Sequence, residues 1–418
     1  MTIADHYQII LILAVVCSFF MAWGVGANDA ANAMATSVGS KAITLKHAIV
    51  IAIIFEFLGA FLAGGEVTET VRKGILHTEM LHDNGMTLIL GMLASLLAAG
   101  SWLLIASLKG WPVSTTHSII GAIVGFGLFV LGKEAVQWST IGAIVASWVI
   151  SPVISGIIAF CLFLSVQYLI LDKNNVYQAA FHYIPFYMFF TAFIISLITI
   201  RKGLQHVGLN LSNLEGLGLS LLISIGCTIA GIFFIRQIDD FTHGGRFNHP
   251  VERIFTLLMV FTACAMAFAH GSNDVANAVG PLSAIFSTLM HNGKITPLSH
   301  TSSWILLVGG LGIALGLMTM GYRVMATVGQ KITELTPSCG FAAELATAST
   351  VVIASGTGIP VSTTHTLIGA VVGVGLVKGA KHLNWSIIRS IILSWVVTIP
   401  IGAVLSIIFY FILKYLLG

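Results

Sequence analysis

The sequence predicts an all-α polytopic integral membrane protein with about 10–12 transmembrane helices, built from two homologous repeats. Three observations predict this fold class: an apolar composition, long apolar runs and an internal duplication. Of the 418 residues, 57% are hydrophobic and 8% are charged, whereas an ordinary soluble domain is about 25% charged. We therefore expect a lipid bilayer to surround much of the chain.

The apolar runs indicate helices rather than barrel strands. Lipid admits only helices and closed barrels, because every backbone polar group must be paired inside the protein. Residues 86–108 and 135–171 are continuously apolar instead of alternating, and each run is long enough to span a bilayer. Pro152 lies inside the second run, so we expect a break or kink there.

Two motifs recur in the same order in each half of the chain. GANDAANA at residues 26–33 returns as GSNDVANA at 271–278, and PVSTTHSIIGAIVGFGL at 112–128 returns as PVSTTHTLIGAVVGVGL at 360–376. Internal repeats of this kind often decide a membrane fold. The duplication covers most of the chain, with small insertions.

A shorter match follows each PVSTTH motif, because Ser147-Trp148-Val149 returns as Ser394-Trp395-Val396. Two apolar runs between the halves have no counterpart, and residues 236–253 form the most polar segment. We divide the chain into a first repeat at residues 1–175, two linking helices with a polar linker at 176–250, and a second repeat at 251–418.

The PVSTTH motifs are typical of helix N-termini that bind an anion. Proline suits the start of a helix because its missing N–H would be unpaired there anyway. Hydroxyl groups stand beside free backbone N–H groups, and the helix dipole adds about half a positive charge. Simple helix capping is the alternative interpretation. We expect one tetrahedral oxyanion between the two helix ends, bound by Ser114, Thr115, Thr116, Ser362, Thr363 and Thr364.

The Asn-Asp motifs lie at the ends of apolar runs, and a carboxylate near the bilayer centre costs about 2.5–3.5 kcal/mol. Asn and Asp compete with the helix backbone for hydrogen bonds, so we expect an irregular helix over residues 26–33. Carboxylate and amide oxygens suit Na⁺, a small hard cation; alternatively, the Asp residues carry protons or cap a helix. The candidate cation ligands are Asn28, Asp29, Asn32, Asn273, Asp274 and Asn277.

Two glutamates and three histidines also lie in or beside apolar runs. Glu56 and Glu344 occupy non-equivalent places in the two repeats, and each could be a coupling-ion ligand, a proton site or a partner in a buried ion pair. For His117 and His365, which follow the hydroxyl residues, we favour packing. His270 precedes the second Asn-Asp motif without a counterpart in the first half and is a weaker candidate.

Composition excludes several other classes. The net charge of +3 is small and scattered, which argues against nucleic acid as a partner. The five cysteines have no metal-binding spacing, and nothing indicates a cofactor. The first residues lack the basic region of a secretory signal, so we expect the first apolar run to be retained as a helix.

The motifs resemble those of the inorganic phosphate transporter (PiT) family, in its sodium/phosphate symporter form. The family pattern has a GANDVANA-like motif and a P-[VI]-S-T-T-H motif in each half, and both occur twice here. FEFLGA around Glu56 and PSCGFAAELATASTVVIAS at residues 337–355 also look like family segments. The first motif reads GAND, as in sodium-coupled members, rather than the GFHD type of other bacterial members.

The resemblance implies inverted repeats, discontinuous helical hairpins near the membrane midplane, and phosphate held between the hairpin ends. It places phosphate contacts on the six hydroxyl residues and Na⁺ ligands on the Asn-Asp motifs. It also implies a homodimer. We therefore expect a multi-pass protein of the plasma or inner membrane that takes up phosphate in symport with a cation, with Na⁺ as the co-transported ion.

Four alternatives remain: two share the predicted fold, and two belong to other functional classes. Proton coupling and sulfate transport would use the same fold with a different ion. An anion channel would show charge flux without cation dependence or saturation. A membrane enzyme is least favoured, because no nucleophile elbow, zinc motif or phosphate-handling loop is present.

Overall fold

A computed structural model describes residues 7–77, 85–200, 211–237, 251–294, 301–331 and 335–417; the side chains of residues 31–32, 198, 237 and 326–331 lie outside the described part. The first-half and linking helices are α1 Tyr7–Ala33, α2 Ala35–Gly39, α3 Leu45–Ala63, α4 Gly65–Lys73, α5 Gly85–Leu108, α6 Thr115–Phe126, α7 Trp138–Val166, α8 Val176–Ile198 and α9 Asn213–Gln237. The second-half helices are α10 Glu252–Met290, α11 Ser303–Lys331, α12 Pro337–Gly356, α13 Thr363–Lys378 and α14 Trp385–Leu417.

The described part of the chain has ten helices long and apolar enough to cross a membrane. Two shorter apolar segments, Thr115–Leu131 and Thr363–Lys378, begin within the hydroxyl motifs. Extended pairing among these residues is limited to one isolated bridge between Leu76 and Val136. The predicted all-α polytopic class is confirmed, and Pro152 is accommodated inside α7 without ending it.

The prediction of an irregular helix over residues 26–33 is wrong. α1 stays helical through residues 26–33, and its turn comes only at Met34. α10 runs unbroken through the second motif to Met290. The physical reason is that the Asn and Asp side chains bond to other segments, so they do not compete with their own helix backbone.

The charged residues between Gly64 and Gly85 favour a solvated loop, but part of this segment is a helix with a buried face. Gly65–Lys73 form the short helix α4, whose Val67 and Val71 are fully buried. Thr70 Oγ1 donates a 2.6 Å hydrogen bond to the carbonyl of Gly358. α4 therefore holds the turn between α12 and α13 in place.

Two close helix crossings join the halves. α1 packs on α11, and a Cβ at Gly26 would lie 1.9 Å from the carbonyl oxygen of Ile313. α10 packs on α3, and a Cβ at Gly271 would lie 2.2 Å from the carbonyl oxygen of Glu56. Backbones can approach this closely only where glycine occupies the crossing point. The two crossings make Ile313 and Glu56 equivalent positions.

α5–α6 and α12–α13 are two helical hairpins whose turns carry the hydroxyl motifs. Gly110 and Gly358 occupy the turns with φ of 64° and 76°, a backbone conformation that favours glycine. α6 packs on α14, and α13 packs on α7. Each hairpin of one half is therefore supported by the last long helix of the other half.

Candidate functional site

Asn28 binds the turn of the first hairpin. Its Oδ1 accepts from the Val113 N–H at 3.1 Å, and its Nδ2 donates to the Trp111 carbonyl at 2.9 Å. Nδ2 also lies 3.2 Å from Oγ of Ser107 at the end of α5. One amide side chain thus satisfies the backbone of an extended turn, which would otherwise be buried without partners.

Asn273 does the same for the second hairpin. Its Oδ1 accepts from the Val361 N–H at 3.3 Å and from Ser355 Oγ at 3.3 Å. Its Nδ2 donates to the Val361 carbonyl at 2.8 Å. The first Asn of each motif therefore positions a hairpin turn, a role that sequence spacing alone did not indicate.

Asp29 contacts both hairpins. Its Oδ2 accepts from the backbone N–H of Thr115 at 3.2 Å and from the Thr115 hydroxyl at 2.8 Å. Its Oδ1 accepts from the hydroxyl of Thr364, which belongs to the second hairpin. The carboxylate is buried to 1% exposure. Asp29 therefore stands where the two hydroxyl-bearing helix ends meet.

Asp274 has a different set of donors. Its Oδ2 accepts from the Thr363 hydroxyl at 2.9 Å and lies 2.7 Å from Nε2 of His270. Its Oδ1 accepts from Nδ2 of Asn273 at 2.7 Å and from Nδ2 of Asn277 at 3.4 Å. The second carboxylate thus contacts its own hairpin and a histidine.

Asn277 reaches across the halves to the first hairpin. Its Nδ2 lies 3.2 Å from Oγ1 of Thr115 and 3.3 Å from Oγ1 of Thr116. Thr116 Oγ1 donates to the Val361 carbonyl of the second hairpin at 3.2 Å. The side chain of Asn32, the equivalent residue in the first motif, lies outside the described part of the structure.

Ser114 and Ser362 are the N-caps of α6 and α13. Ser114 Oγ accepts from the His117 N–H at 3.2 Å, and Ser362 Oγ accepts from the His365 N–H at 3.3 Å. Capping uses an oxygen lone pair and leaves the hydroxyl proton available for donation. The capping interpretation and the anion-binding interpretation are therefore compatible at these two positions.

Sequence reasoning underweighted His270, which is central to the site. Nδ1 of His270 lies 2.7 Å from Oε2 of Glu56, and its other ring nitrogen faces Asp274. All three side chains are fully buried. Ligand atoms of Asp29, His270 and Asp274 lie within 4.8 Å of one another. The signal was present as a histidine one helical turn before a buried Asp, but its partner lies 214 residues away.

Glu344 occupies a second buried cluster, with a separate set of partners. Its carboxylate accepts from Thr36 Oγ1 at 2.6 Å, from the Ser37 hydroxyl, and from Thr262 Oγ1 at 2.8 Å. The donors come from α2 and α10, whereas Glu344 lies on α12. The cluster therefore consists of oxygen atoms from three helices, the kind of ligand set that a hard cation prefers.

His117 and His365 pack against tryptophans, as favoured from the sequence, and each also makes a polar contact. The His117 ring lies 3.8 Å from the Trp148 ring, and the His365 ring lies 3.5 Å from the Trp395 ring, between centroids. Each Nδ1 faces the backbone carbonyl of the other tryptophan. The repeated Ser-Trp motif thus adjoins the hydroxyl residues.

The carboxylates of the central cluster outnumber its basic groups among the described residues. Three buried carboxylates, on Asp29, Asp274 and Glu56, share one imidazole, that of His270. If all three are ionised, a protonated imidazole compensates only one of them. Buried charge of one sign is stable only when protons, metal ions or basic groups compensate it. This cluster lies directly beside the hydroxyl-bearing N-termini of α6 and α13.

Comparison with known proteins identifies the family. Residues 25–406 match the model of the phosphate transporter family. A protein called a phosphate permease in Haemophilus influenzae is 53% identical over 408 residues, 96% of each chain. The chloroplastic inorganic phosphate transporter 2-1 of Arabidopsis thaliana is 40% identical over 435 residues, covering 96% of this chain and 71% of that one.

A solved structure described as the sodium-dependent phosphate transporter has the same fold. It superposes with a TM-score of 0.90 at 39% identity, covering 98% of this chain and all of the other. The family is one of transporters rather than enzymes, which agrees with the expectation from the sequence. This multi-span membrane protein belongs to the phosphate transporter family.

Proposed function

We propose that the protein is a secondary active transporter that takes up inorganic phosphate in symport with Na⁺. Phosphate binds between the two Ser-Thr-Thr helix ends, and cations bind at the Asn-Asp motifs. The observation that carries this proposal is that Thr115 and Thr364, from different hairpins, both donate to the carboxylate of Asp29.

The same hydroxyl protons serve the carboxylates and would serve the anion. A hydroxyl donates one proton, so Thr115 cannot fully donate to Asp29 and to phosphate at once. A cation bound by Asp29 competes for the carboxylate oxygens and releases the hydroxyls toward the anion. Thr363 and Asp274 are related in the same way on the other side. Cation binding and phosphate binding therefore favour each other, which is the requirement for symport.

The chemistry of the ligands favours phosphate over sulfate. Phosphate at neutral pH carries a proton and can donate a hydrogen bond, whereas sulfate only accepts. Asp29 and Asp274 provide acceptor oxygens directly beside the hydroxyl groups. A site containing acceptors penalises an anion that cannot donate to them.

Proton coupling is the second candidate, and Glu56 favours it. Its carboxylate is linked through His270 to Asp274, so a proton could compensate the cluster in place of Na⁺. Glu344 is proposed as a further coupling-ion ligand because its carboxylate and three hydroxyl groups offer only oxygen. The assay below separates the two coupling ions.

The family and the exposed apolar surface support a proposal for the setting of the protein. We propose that the protein is a multi-pass component of the cell membrane, either plasma or inner, and that it works as a homodimer. Long apolar faces of α7 and α14 remain exposed in the single chain, with Val149 and Val396 65% and 64% exposed. Lipid and a second copy are the partners suited to such faces.

The test is uptake of radiolabelled phosphate into proteoliposomes that contain the purified protein. Uptake is measured with an inward Na⁺ gradient, with an inward H⁺ gradient without Na⁺, and with excess sulfate as competitor. The proposal expects uptake that depends on Na⁺, saturates with phosphate and is insensitive to sulfate.

The other outcomes each overturn a part of the proposal. Uptake driven by H⁺ alone would assign the Asp residues to protons. Sulfate uptake without phosphate uptake would overturn the substrate. Unsaturable anion flux without any cation requirement would indicate a channel. A matched control is the Thr115→Ser variant, which keeps the hydroxyl donor and should retain uptake, whereas Thr115→Val should lose it.

A further inference from the structure

The two halves exchange a pair of histidine contacts behind the hydroxyl residues. Nδ1 of His117 lies 3.3 Å from the backbone carbonyl of Trp395, and Nδ1 of His365 lies 3.1 Å from the backbone carbonyl of Trp148. A carbonyl only accepts, so Nδ1 must carry the proton in both rings. Each histidine therefore donates to the last long helix of the other half.

The rings form one continuous aromatic cluster, which we name the His-Trp clasp: His117, Trp148, His365 and Trp395. His117 packs against Trp148 with the ring planes tilted by 39°, and His365 stacks on Trp395. The two histidine rings meet edge to face with centroids 4.4 Å apart. α7 and α14 thus each contact both histidines, one through the tryptophan ring and the other through the tryptophan backbone carbonyl.

The clasp is connected directly to the oxyanion-binding ends. His117 and His365 each follow a Thr that donates to Asp29 or to the opposite hairpin, and each gives its own N–H to the N-cap serine. α14 and α7 also contact the hairpin turns through hydrogen bonds. Ser394 Oγ lies 3.4 Å from the Pro112 carbonyl, and Ser147 Oγ lies 3.4 Å from the Pro360 carbonyl. Moving either ring would move a hydroxyl-bearing turn.

Packing alone does not explain the choice of histidine. Both histidines are 3% exposed, and among the described residues no partner is found for Nε2 of either ring or for Nε1 of either indole. A phenyl ring would fill similar space without burying an unpaired nitrogen, which carries a desolvation penalty. The feature that histidine adds is the Nδ1–H donor to the opposite half.

We infer that His117 and His365 are positioning residues that set the distance between the two hydroxyl ends, and thereby the affinity and size selectivity for the oxyanion. This inference rests on the proposed function of those ends in binding phosphate. A looser clasp widens the gap, so phosphate binds more weakly while the larger arsenate, of the same charge and shape, is affected less.

The test separates the donor from the ring at each histidine. His117→Asn keeps an N–H donor at the position of Nδ1 without the ring, and His117→Phe keeps a ring without the donor. Phosphate uptake is measured against phosphate concentration at saturating Na⁺, with arsenate as competitor. We expect Phe to raise the KM for phosphate about tenfold and to reduce discrimination against arsenate, and Asn to recover most of both.

A wild-type KM for phosphate in His117→Phe would overturn the inference. A raised KM in His117→Asn together with a normal KM in His117→Phe would also overturn it, because the ring would then serve only in packing. His365 variants should behave alike, because the geometry is reciprocal. His291→Ala is the matched control: its Nδ1 also lies 2.8 Å from a backbone carbonyl, that of Ser287, but within its own helix. Its KM should be unchanged.

A second measurement works without any transported ion. Spin labels are placed on the hairpin turns at Lys109 and Thr357, both exposed, after replacement of the native cysteines. The distribution of distances between the two labels should broaden in His117→Phe and remain narrow in His117→Asn. A wild-type protein that takes up no phosphate would overturn the proposed function, whereas an unbroadened distribution in Phe would overturn the clasp.

Discussion

The two Asn-Asp motifs have similar sequences, yet their structural surroundings differ. Asp29 is bonded by Thr115 and Thr364, one from each hairpin. Asp274 is bonded by Thr363 and faces His270, which is paired with Glu56. The repeated residues thus form two carboxylate sites with one shared plan, and residues that are not matched between the repeats, Glu56 and His270, make the sites chemically unequal.

The inequality is visible residue by residue. The offset that relates Asn28 to Asn273 pairs His270 with Val25. The glycine crossings pair Glu56 with Ile313. The buried carboxylate–imidazole contact at the α3–α10 crossing therefore corresponds to two buried apolar residues, Val25 and Ile313, at the α1–α11 crossing.

The Glu344 cluster follows the same rule. The alignment of the hydroxyl motifs places Leu96 opposite Glu344, and that of the Asn-Asp motifs places Cys17 opposite Thr262. Thr36 and Ser37 have Pro281 and Leu282 as counterparts, and all four counterparts are buried. Four polar residues in one place thus correspond to four apolar residues in the other. The fold accommodates apolar residues at the corresponding positions, which supports the coupling-ion role proposed for Glu344.

The largest effect is expected when the α3–α10 crossing is given the residues found at the α1–α11 crossing. His270→Val alone leaves Glu56 buried without its partner, which should cost about 3–5 kcal/mol of stability. Adding Glu56→Ile gives the α3–α10 crossing the same two residue types that Val25 and Ile313 supply at the α1–α11 crossing, and should recover stability to within about 1 kcal/mol of wild type. Thermal unfolding in detergent measures both.

Uptake is expected to stay low in that double variant even though it folds. Stability without uptake would assign the His270–Glu56 pair to transport rather than to folding. Wild-type uptake in the double variant would show that the His270–Glu56 pair is not needed for transport.

A smaller effect is expected from exchanging the carboxylates themselves. Asp29→Asn weakens contacts to both hairpins and should lower Na⁺-driven phosphate uptake by about 100-fold, equivalent to roughly 3 kcal/mol. Asp274→Asn affects one hairpin and should lower uptake by about tenfold. Initial rates in proteoliposomes at matched protein density test the order; equal losses would contradict it.

The smallest effect is expected at the hydroxyl cluster around Glu344. Thr262→Val removes one of its donors, worth about 1 kcal/mol, and should raise the Na⁺ concentration for half-maximal uptake about fivefold. Thr262→Ser keeps the donor and should resemble wild type. Cys17→Val changes the apolar counterpart and is the matched control; an equal shift there would show a general packing effect.

Much of the fold and part of the site could be predicted from the sequence. Composition and run length were enough for the helical membrane class, and the duplicated motifs were enough to select the hydroxyl and carboxylate residues that the structure brings together. Helix start signals at Ser114 and Ser362 were readable because capping is a local interaction.

The remainder depends on contacts between distant segments. Glu56 meets His270 only because α3 crosses α10, and neither residue has a counterpart that repetition could reveal. The regular helix at residues 26–33 was missed because its side chains find partners on the hairpins, an outcome that local propensity cannot indicate. The unequal parts of a duplicated protein are therefore the least predictable, since repetition gives no information about them.

The close crossings at Gly26 and Gly271 have a consequence for the interpretation of variant libraries. A methyl group at either position would overlap a carbonyl oxygen of the facing backbone, so even alanine is excluded. Because such a substitution disrupts the packing of two helices, it should lower the yield of inserted protein. Molecules that do assemble should have normal transport kinetics. Yield and turnover scored separately would distinguish positions that build this transporter from positions that operate it.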